Sequence, residues 1–229
     1  MPATSRSTGA PLRRRLLADH VFDELLAMLL DGSLAAGSSL NIDGIARQLD
    51  VSPTPVREAL ARLESTGMVR RVALRGYSVA PSPTDKELAD LMDARIAIEP
   101  VSAWHAGQRG TGQFLAELDE AVTLLETVRT GPTYQEFRDY WAADERFHQL
   151  IAEAADNPYL LAAYQALGGL IQRFRQFSGV GVTDRDQAVA EHRAVLVALR
   201  DGDSDRARDL MRAHIEAVKS RSLAERHDA

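Results

Sequence analysis

Apolar residues recur at helical spacing along most of this chain. From about residue 14 to 30 they fall at Leu17, Val21, Leu25, Met28 and Leu29, one face of a helix that Asp31-Gly32 should end. A loop, SLAAGSSL, follows. Asn41 or Asp43 can cap a short helix reaching Leu49. After a tight turn, Ser52 stands as an N-cap, with Pro53 in the first turn where a missing N–H costs least. This third helix should run to about Thr66 and stop at Gly67. MVRRV and GYSVA are then short β-rich runs around residues 73–75, the pattern of a small hairpin.

The run PSPT, residues 81–84, is the best domain boundary, because two prolines prevent helix continuity and stiffen the link. Thr84 with Glu87 has the spacing of a capping box. Beyond it the pattern is helical throughout, with helices expected at about 84–108, 112–129, 133–155, 158–177, 184–201 and 203–223. Gly110, Gly131, Asn157-Pro158, Gly179, Gly181 and Gly202 punctuate them. The expected organisation is a disordered tail at 1–13, a small domain at 14–80, a linker at 81–84 and an α-helical bundle at 85–223.

Composition sets outer limits. A chain of 229 residues, 45% hydrophobic, is comfortable for two domains with buried cores. It has no cysteine, so disulfide frameworks and thiolate metal sites are excluded. The opening MPATSRSTGAPLRRRLL lacks the apolar core of a secretory signal, and no apolar run approaches the ~20 residues that span a bilayer. These features lead us to expect a cytoplasmic protein without a membrane partner. The net charge is −6, unevenly placed: residues 1–80 hold ten Arg, no Lys and eight acids, hence +2, and the remainder carries −8.

Residues 42–66 read as helix, tight turn, helix. Ile42, Ile45, Ala46 and Leu49, with Val51 in the turn, can pack against Val56, Leu60 and Leu63. Helix-turn-helix geometry sends the second helix's N-terminus into the major groove of duplex DNA. Ser52 and Thr54 are small and polar enough to reach phosphates or base edges, and Arg57 could fork onto guanine O6 and N7. Arg70, Arg71 and Arg75 sit on or near the hairpin and could follow the backbone or the minor groove, as could Arg13, Arg14 and Arg15 from the N-terminal side. A helical hairpin with merely solvated arginines would show many of the same features.

The string VSPTPVREALARLESTGMV separates these possibilities. It resembles the recognition helix of GntR-family bacterial regulators, in which V-S-x-T-P-V-R-E-A-L leads to R-L-E-x-x-G and a wing. The segment RRVALRGYSVA fits that wing, with Gly76 at the family's turn position. The resemblance covers about residues 14–80. It implies a winged helix-turn-helix whose DNA-contacting set includes Ser52, Thr54, Pro55, Arg57, Arg70, Arg71, Arg75 and Gly76. Two departures stand out. The family often has Arg where this chain has Pro53, and a charged start to the second helix where this chain has Asn41, Ile42 and Asp43. Fewer base contacts per half-site are therefore expected.

In the helical part, polar residues occupy apolar stripes. One stripe reads Phe137, Trp141, Asp144, His148, Ile151, Ala155, with Asp144 and His148 four apart on one face. Others read Val189, His192, Leu196, Leu199, and Ala207, Leu210/Met211, His214, Val218. A buried Asp is costly unless paired or bound to a cation. Three imidazoles and a carboxylate converging in a bundle would suit Zn²⁺ best, with Ni²⁺, Mn²⁺ or Fe²⁺ also acceptable. From the residues alone, a shared metal and separately satisfied core histidines both remain open. His20, His105 and His227 have no such partners and read as surface or packing residues. A further stripe, Leu88, Leu91/Met92, Arg95, Ile98, Ser102, carries an inward guanidinium. It needs an anion, either a small organic acid gripped bidentately or an interior Asp or Glu.

Residues 84–223 also resemble the FCD ligand-binding domain of the FadR branch of the GntR family, whose metal pattern is D-x-x-x-H, a later His, and a His on the last helix. Asp144, His148, His192 and His214 match it one by one. The resemblance implies a metal and a carboxylate effector, with Arg95, in RIAIEP, matching the family's effector arginine. Asn157 is a weaker effector candidate. Arg173 and Arg175 fall on a helix expected to line the cavity or a dimer face. The chain is thus expected to be mainly α, a winged helix-turn-helix followed by an all-α bundle. It reads as a homodimeric transcription regulator, commonly a repressor, that binds operator DNA under control of a carboxylate or sugar acid. Two rivals are a sensor for which the metal is itself the signal, and a metal-dependent hydrolase. The hydrolase has no recognisable general base such as H-E-x-x-H supplies.

Overall fold

The computed structural model describes residues 9–131, 133–172 and 182–228. The chain forms two compact units, one through Ser82 and one from Pro83.

The first unit contains α1 (Gly9–Leu30), β1 (Ser39–Leu40), α2 (Ile42–Gln48), α3 (Pro53–Ser65), β2 (Val69–Val72) and β3 (Gly76–Val79). Helix α1 begins earlier than the pattern suggests, so part of the stretch expected as a disordered tail is helical; residues 1–8 lie outside the described residues. Asn41 caps α2, its side chain accepting from the Gly44 amide at 3.0 Å. Ser52 has N-cap backbone geometry and Pro53 follows at the first helical position, but the Ser52 hydroxyl makes no capping bond.

Val21, Leu25, Val56, Ala59, Leu60 and Leu63 are fully buried and join α1 to α3. Leu17, expected inward, is 37% exposed, and Ala18 takes the buried position beside it. Arg62 fastens the same pair of helices: it bonds Asp19 at 2.6 Å and lies 4.2 Å above the Phe22 ring. The hairpin pairs Val69 with Val79 and Val72 with Gly76. A third strand that the sequence pattern does not reveal completes the sheet, in the order β1-β3-β2.

The second unit is helical: α4 (Asp85–Arg109), α5 (Gly112–Thr127), α6 (Tyr134–Ala154), α7 (Pro158–Gln172), α8 (Arg185–Arg200) and α9 (Ser204–Asp228). Thr84 and Thr133 each close a capping box, with Glu87 and Glu136, which is why α4 and α6 start where they do. Leu118, Val122, Phe147, Ile151, Val195, Leu196, Met211 and Ile215 form the core at near-zero exposure. Helices α4 and α9 cross closely at Gly107, where a Cβ would lie 2.5 Å from Ser204 Oγ. On α6 the fully buried aromatics are Tyr140 and Phe147, and the expected inward Trp141 is only partly buried.

Candidate functional site: a buried histidine cluster and a helix-turn-helix head

Four polar residues of the bundle meet where the apolar stripes placed them. Asp144 is 6% exposed, His148 3%, His192 0% and His214 2%. They come from α6, α8 and α9, and one ring nitrogen from each of the three histidines falls within 4.8 Å of the others. Phe147 packs edge-on against His192, with ring centroids 4.3 Å apart, and shields the cluster from one side.

The orientation of each ring is set by its Nδ1. His192 Nδ1 donates to the Ala188 carbonyl at 2.7 Å. His214 Nδ1 donates to Glu191 Oε2 at 2.7 Å. His148 Nδ1 lies 2.7 Å from Glu99 Oε2. The Nδ1 atoms of His192 and His214 donate and so carry the proton, leaving each Nε2 its lone pair; His148 Nδ1 approaches Glu99 without hydrogen-bond geometry, and the carboxylate beside it favours the same tautomer. Those lone pairs then face each other. His192 Nε2 is 3.3 Å from His148 Nε2, and Asp144 Oδ1 is 3.4 Å from the first and 3.8 Å from the second. Among the described residues His214 Nε2 has no hydrogen-bond partner, and it is buried. Acceptors aimed at acceptors in a dry core repel unless something positive lies between them. Burial, and then the neighbouring His214 charge, push the His192 pKa well below its ordinary value; burial also lowers His214, against the pull of Glu191. Neutral imidazoles are the form that binds metal. Three Nε2 donors and a carboxylate, each imidazole oriented by an oxygen behind it, fit a divalent ion of the zinc type.

Two residues behind this cluster escaped the sequence reading. Glu191 holds His214 and is itself held by Arg221, whose Nη1 bonds Glu191 Oε1 at 2.8 Å and whose Nε bonds Asp184 at 2.6 Å. Burial works against the Glu191 charge, but the bonds from His214 and Arg221 prevail and lower its pKa to about 2. Glu99 is the other. Its Oε1 takes a 2.5 Å bond from Arg95 Nε, while Oε2 faces His148. Burial would raise the Glu99 carboxyl, but Arg95 and then His148 outweigh it and hold the group far below its ordinary range. Only the R-x-x-x-E spacing could have signalled Glu99. Glu191, next in sequence to His192, sits off that helix's inward stripe and had no signal.

For Arg95 the structure therefore supplies an interior carboxylate, one of the two partners the sequence left open. Burial opposes the Arg95 charge, Glu99 more than offsets it, and Asp144 and Tyr164 add to the local field. Asn157 is placed elsewhere: its Oδ1 accepts from the Tyr159 and Leu160 amides and caps the start of α7. Arg173 and Arg175 lie outside the described residues.

On the first unit, Ser52, Thr54 and Arg57 are exposed at the N-terminal end of α3, as a recognition helix requires. Pro55 is not: it is buried against the core and shapes the helix start rather than presenting a contact. Arg70, Arg71, Arg75 and Gly76 are exposed along the hairpin. The side chains of Arg13, Arg14 and Arg15 lie outside the described residues.

Residues 17–79 match the bacterial regulatory proteins of the gntR family, and residues 90–217 match the FCD domain. The chain is 32% identical to the protein named as the L-lactate dehydrogenase operon regulatory protein of Escherichia coli (strain K12), over 89% of this chain and 85% of that one. It is 28% identical to the protein named for repression of a D-xylose utilization operon in Paenarthrobacter nicotinovorans, over 92% and 91%. The fold superposes on Escherichia coli McbR/YncC with a TM-score of 0.74 at 22% identity, covering 92% of this chain and 98% of that one. Among the described residues no helix is long and apolar enough to cross a membrane. A helix-turn-helix head with a wing, joined to a helical bundle and matched in both parts, makes the chain a transcription regulator of the GntR family with a C-terminal FCD domain.

Proposed function

We propose that this regulator is a homodimeric repressor whose operator affinity is set by a small carboxylate bound at a divalent metal in the bundle. Asp144, His148, His192 and His214 would hold the metal, with Zn²⁺ first by donor chemistry. The observation that carries the reading is the convergence of three buried imidazoles, a ring nitrogen of each within 4.8 Å of the others, with His214 Nε2 left unpartnered among the described residues. A bound metal with open coordination positions would supply a Lewis-acidic seat for a carboxylate. Arg95 would sit beside that anion and share its guanidinium between Glu99 and the incoming acid. The relatives' names join an L-lactate dehydrogenase operon and a D-xylose operon, which favours hydroxy acids and sugar acids as first candidates.

Two heads in a two-fold dimer read the two halves of a palindromic site. A ligand that binds one head-to-head arrangement better than another shifts the population between them, and operator affinity follows. The test is metal analysis and native mass spectrometry of gently purified protein, then operator binding with chelator, added metal and a panel of hydroxy acids. His148→Ala and His214→Ala should each abolish metal retention, and an acid should change DNA affinity only in metal-loaded protein. Unchanged metal content in both variants would remove the site. A response to metal with none to any acid would make the metal the signal.

A further inference from the structure

The hairpin between β2 and β3 turns through Ala73, Leu74 and Arg75, closed by the Arg75 amide bonding the Val72 carbonyl at 3.0 Å. Leu74 is the third residue of the four-residue turn Val72–Arg75 and has φ of 63°. This left-handed position is where turns ordinarily place glycine or asparagine, because a Cβ crowds the backbone there. The Leu74 side chain is 107% exposed, so it packs on nothing. The fold thus gains nothing from a leucine at this point and is strained by it. A single exposed leucine is unremarkable in itself; one held in a disfavoured backbone conformation at a hairpin tip calls for a role outside the fold.

The surroundings say what it would meet. Arg70, Arg71 and Arg75 are exposed on the same hairpin, and no Asp or Glu occurs from Met68 to Thr84. Among the described residues none of the three guanidinium groups is engaged in an ion pair. An apolar point ringed by unpaired cations suits a polyanion that offers an apolar interior between its charges, which is a description of stacked base pairs between two phosphate rails. Gly76, paired with Val72, adds no side chain beside the tip, which favours entry into a groove about 6 Å wide.

We infer that Leu74 is a wedge that enters the minor groove of the operator and leans into a base step, while Arg70, Arg71 and Arg75 hold the flanking phosphates. The inference rests on the head's being a DNA reader, and it gives the wing a shape-dependent share in recognition: steps that unstack easily, such as pyrimidine–purine steps, would be favoured under the tip.

The full-length wild-type protein is used to enrich a preferred duplex from a random pool, and that duplex is the probe. Binding of wild type, Leu74→Ala, Leu74→Asn and Arg57→Ala is measured, with DNA bending by circular permutation and unstacking by 2-aminopurine placed at steps under the wing. Leu74→Ala is expected to weaken binding by about tenfold, the size of one lost base-step contact, and to abolish both the bend and the 2-aminopurine signal. Leu74→Asn should do the same while raising the thermal midpoint, since asparagine tolerates the left-handed backbone. Leucine variants that bind, bend and unstack the duplex like wild type, alongside an Arg57 variant that has lost specificity, would overturn the wedge and leave the DNA-binding reading intact. A wild-type protein that enriches no duplex would overturn both.

Discussion

Arg95 and Glu99, one turn apart on α4, form an ion pair 2.5 Å long with each side chain only 4% exposed. Neither charge could stay in that interior alone, and Glu99 also faces the His148 ring that would ligate a metal. The pair thus joins the guanidinium proposed to meet an effector with a residue proposed to hold the ion. Replacing Glu99 with Met should destabilise the metal-free protein by about 3–5 kcal/mol, because a buried guanidinium is left uncompensated. Adding Arg95→Met should recover part of that loss. Urea unfolding of the four species checks this; strictly additive losses would mean the two residues do not act as a pair.

Glu191 accepts the Nδ1 proton of His214 and is braced by Arg221. Glu191→Gln keeps the size and loses the charge. Zinc affinity, measured against a chromogenic chelator, should fall by about 10- to 100-fold while the far-ultraviolet spectrum stays unchanged. Equal affinities would mean that the carboxylate merely packs.

The cluster predicts an acid-sensitive metal-free bundle. His192 and His214 have folded pKa values below the unfolded one, so the folded state resists protons that the unfolded state accepts. Their contribution is complete above the unfolded value and is lost as pH falls through about 6.5, at up to about 1.4 kcal/mol per pH unit for each imidazole. Glu191 is depressed in the folded state, so its contribution is present at neutral pH and lost only as pH falls below its ordinary carboxylate range toward about 2. Urea midpoints should therefore drop between about pH 7.5 and about pH 5.5, and the drop should vanish in a His192→Phe, His214→Leu variant. A flat profile in the wild-type metal-free protein would contradict the burial of neutral imidazoles.

On the head, Arg57 and Arg71 should fail differently. Arg57→Ala should cost about 1–3 kcal/mol on the preferred duplex and relax its sequence preference. Arg71→Ala should weaken all duplexes alike and lower the salt slope of binding by about 1. Salt titrations on preferred and scrambled duplexes distinguish them, and an Arg57 variant that keeps full specificity would remove it as a base reader.

Gly107 lets α4 and α9 touch. In Gly107→Ala the new methyl would sit 2.5 Å from Ser204 Oγ and 3.1 Å from its Cα, so backbone as well as side chain must move. The expected loss is about 1–3 kcal/mol in urea unfolding. A neutral outcome would show that this crossing is looser than its geometry.

Much of this architecture is written in the chain. The helical periods place α4, α5 and α6 to within a residue or two, since local hydrogen bonding and one buried face repeat every turn. The start of α4 at Asp85 follows from the prolines before it and a capping box at Thr84, which need no tertiary information. Asp144, His148, His192 and His214 stood out because polar residues are expensive in apolar stripes, and all four are buried together. Tertiary structure decided what periodicity cannot carry. The two-residue strand β1 exists only because β3 offers it partners. Pro55 is buried and Asn157 is spent on a helix cap, facts that depend on what packs beside them. Above all, a stripe shows that Arg95 and three histidines point inward but not which oxygens wait there. Glu99, on the inward face of α4 with Arg95, and Glu191, beside the α8 stripe, lie next to the cluster, and only the packed bundle brings their carboxylates within 2.7 Å of the rings they face.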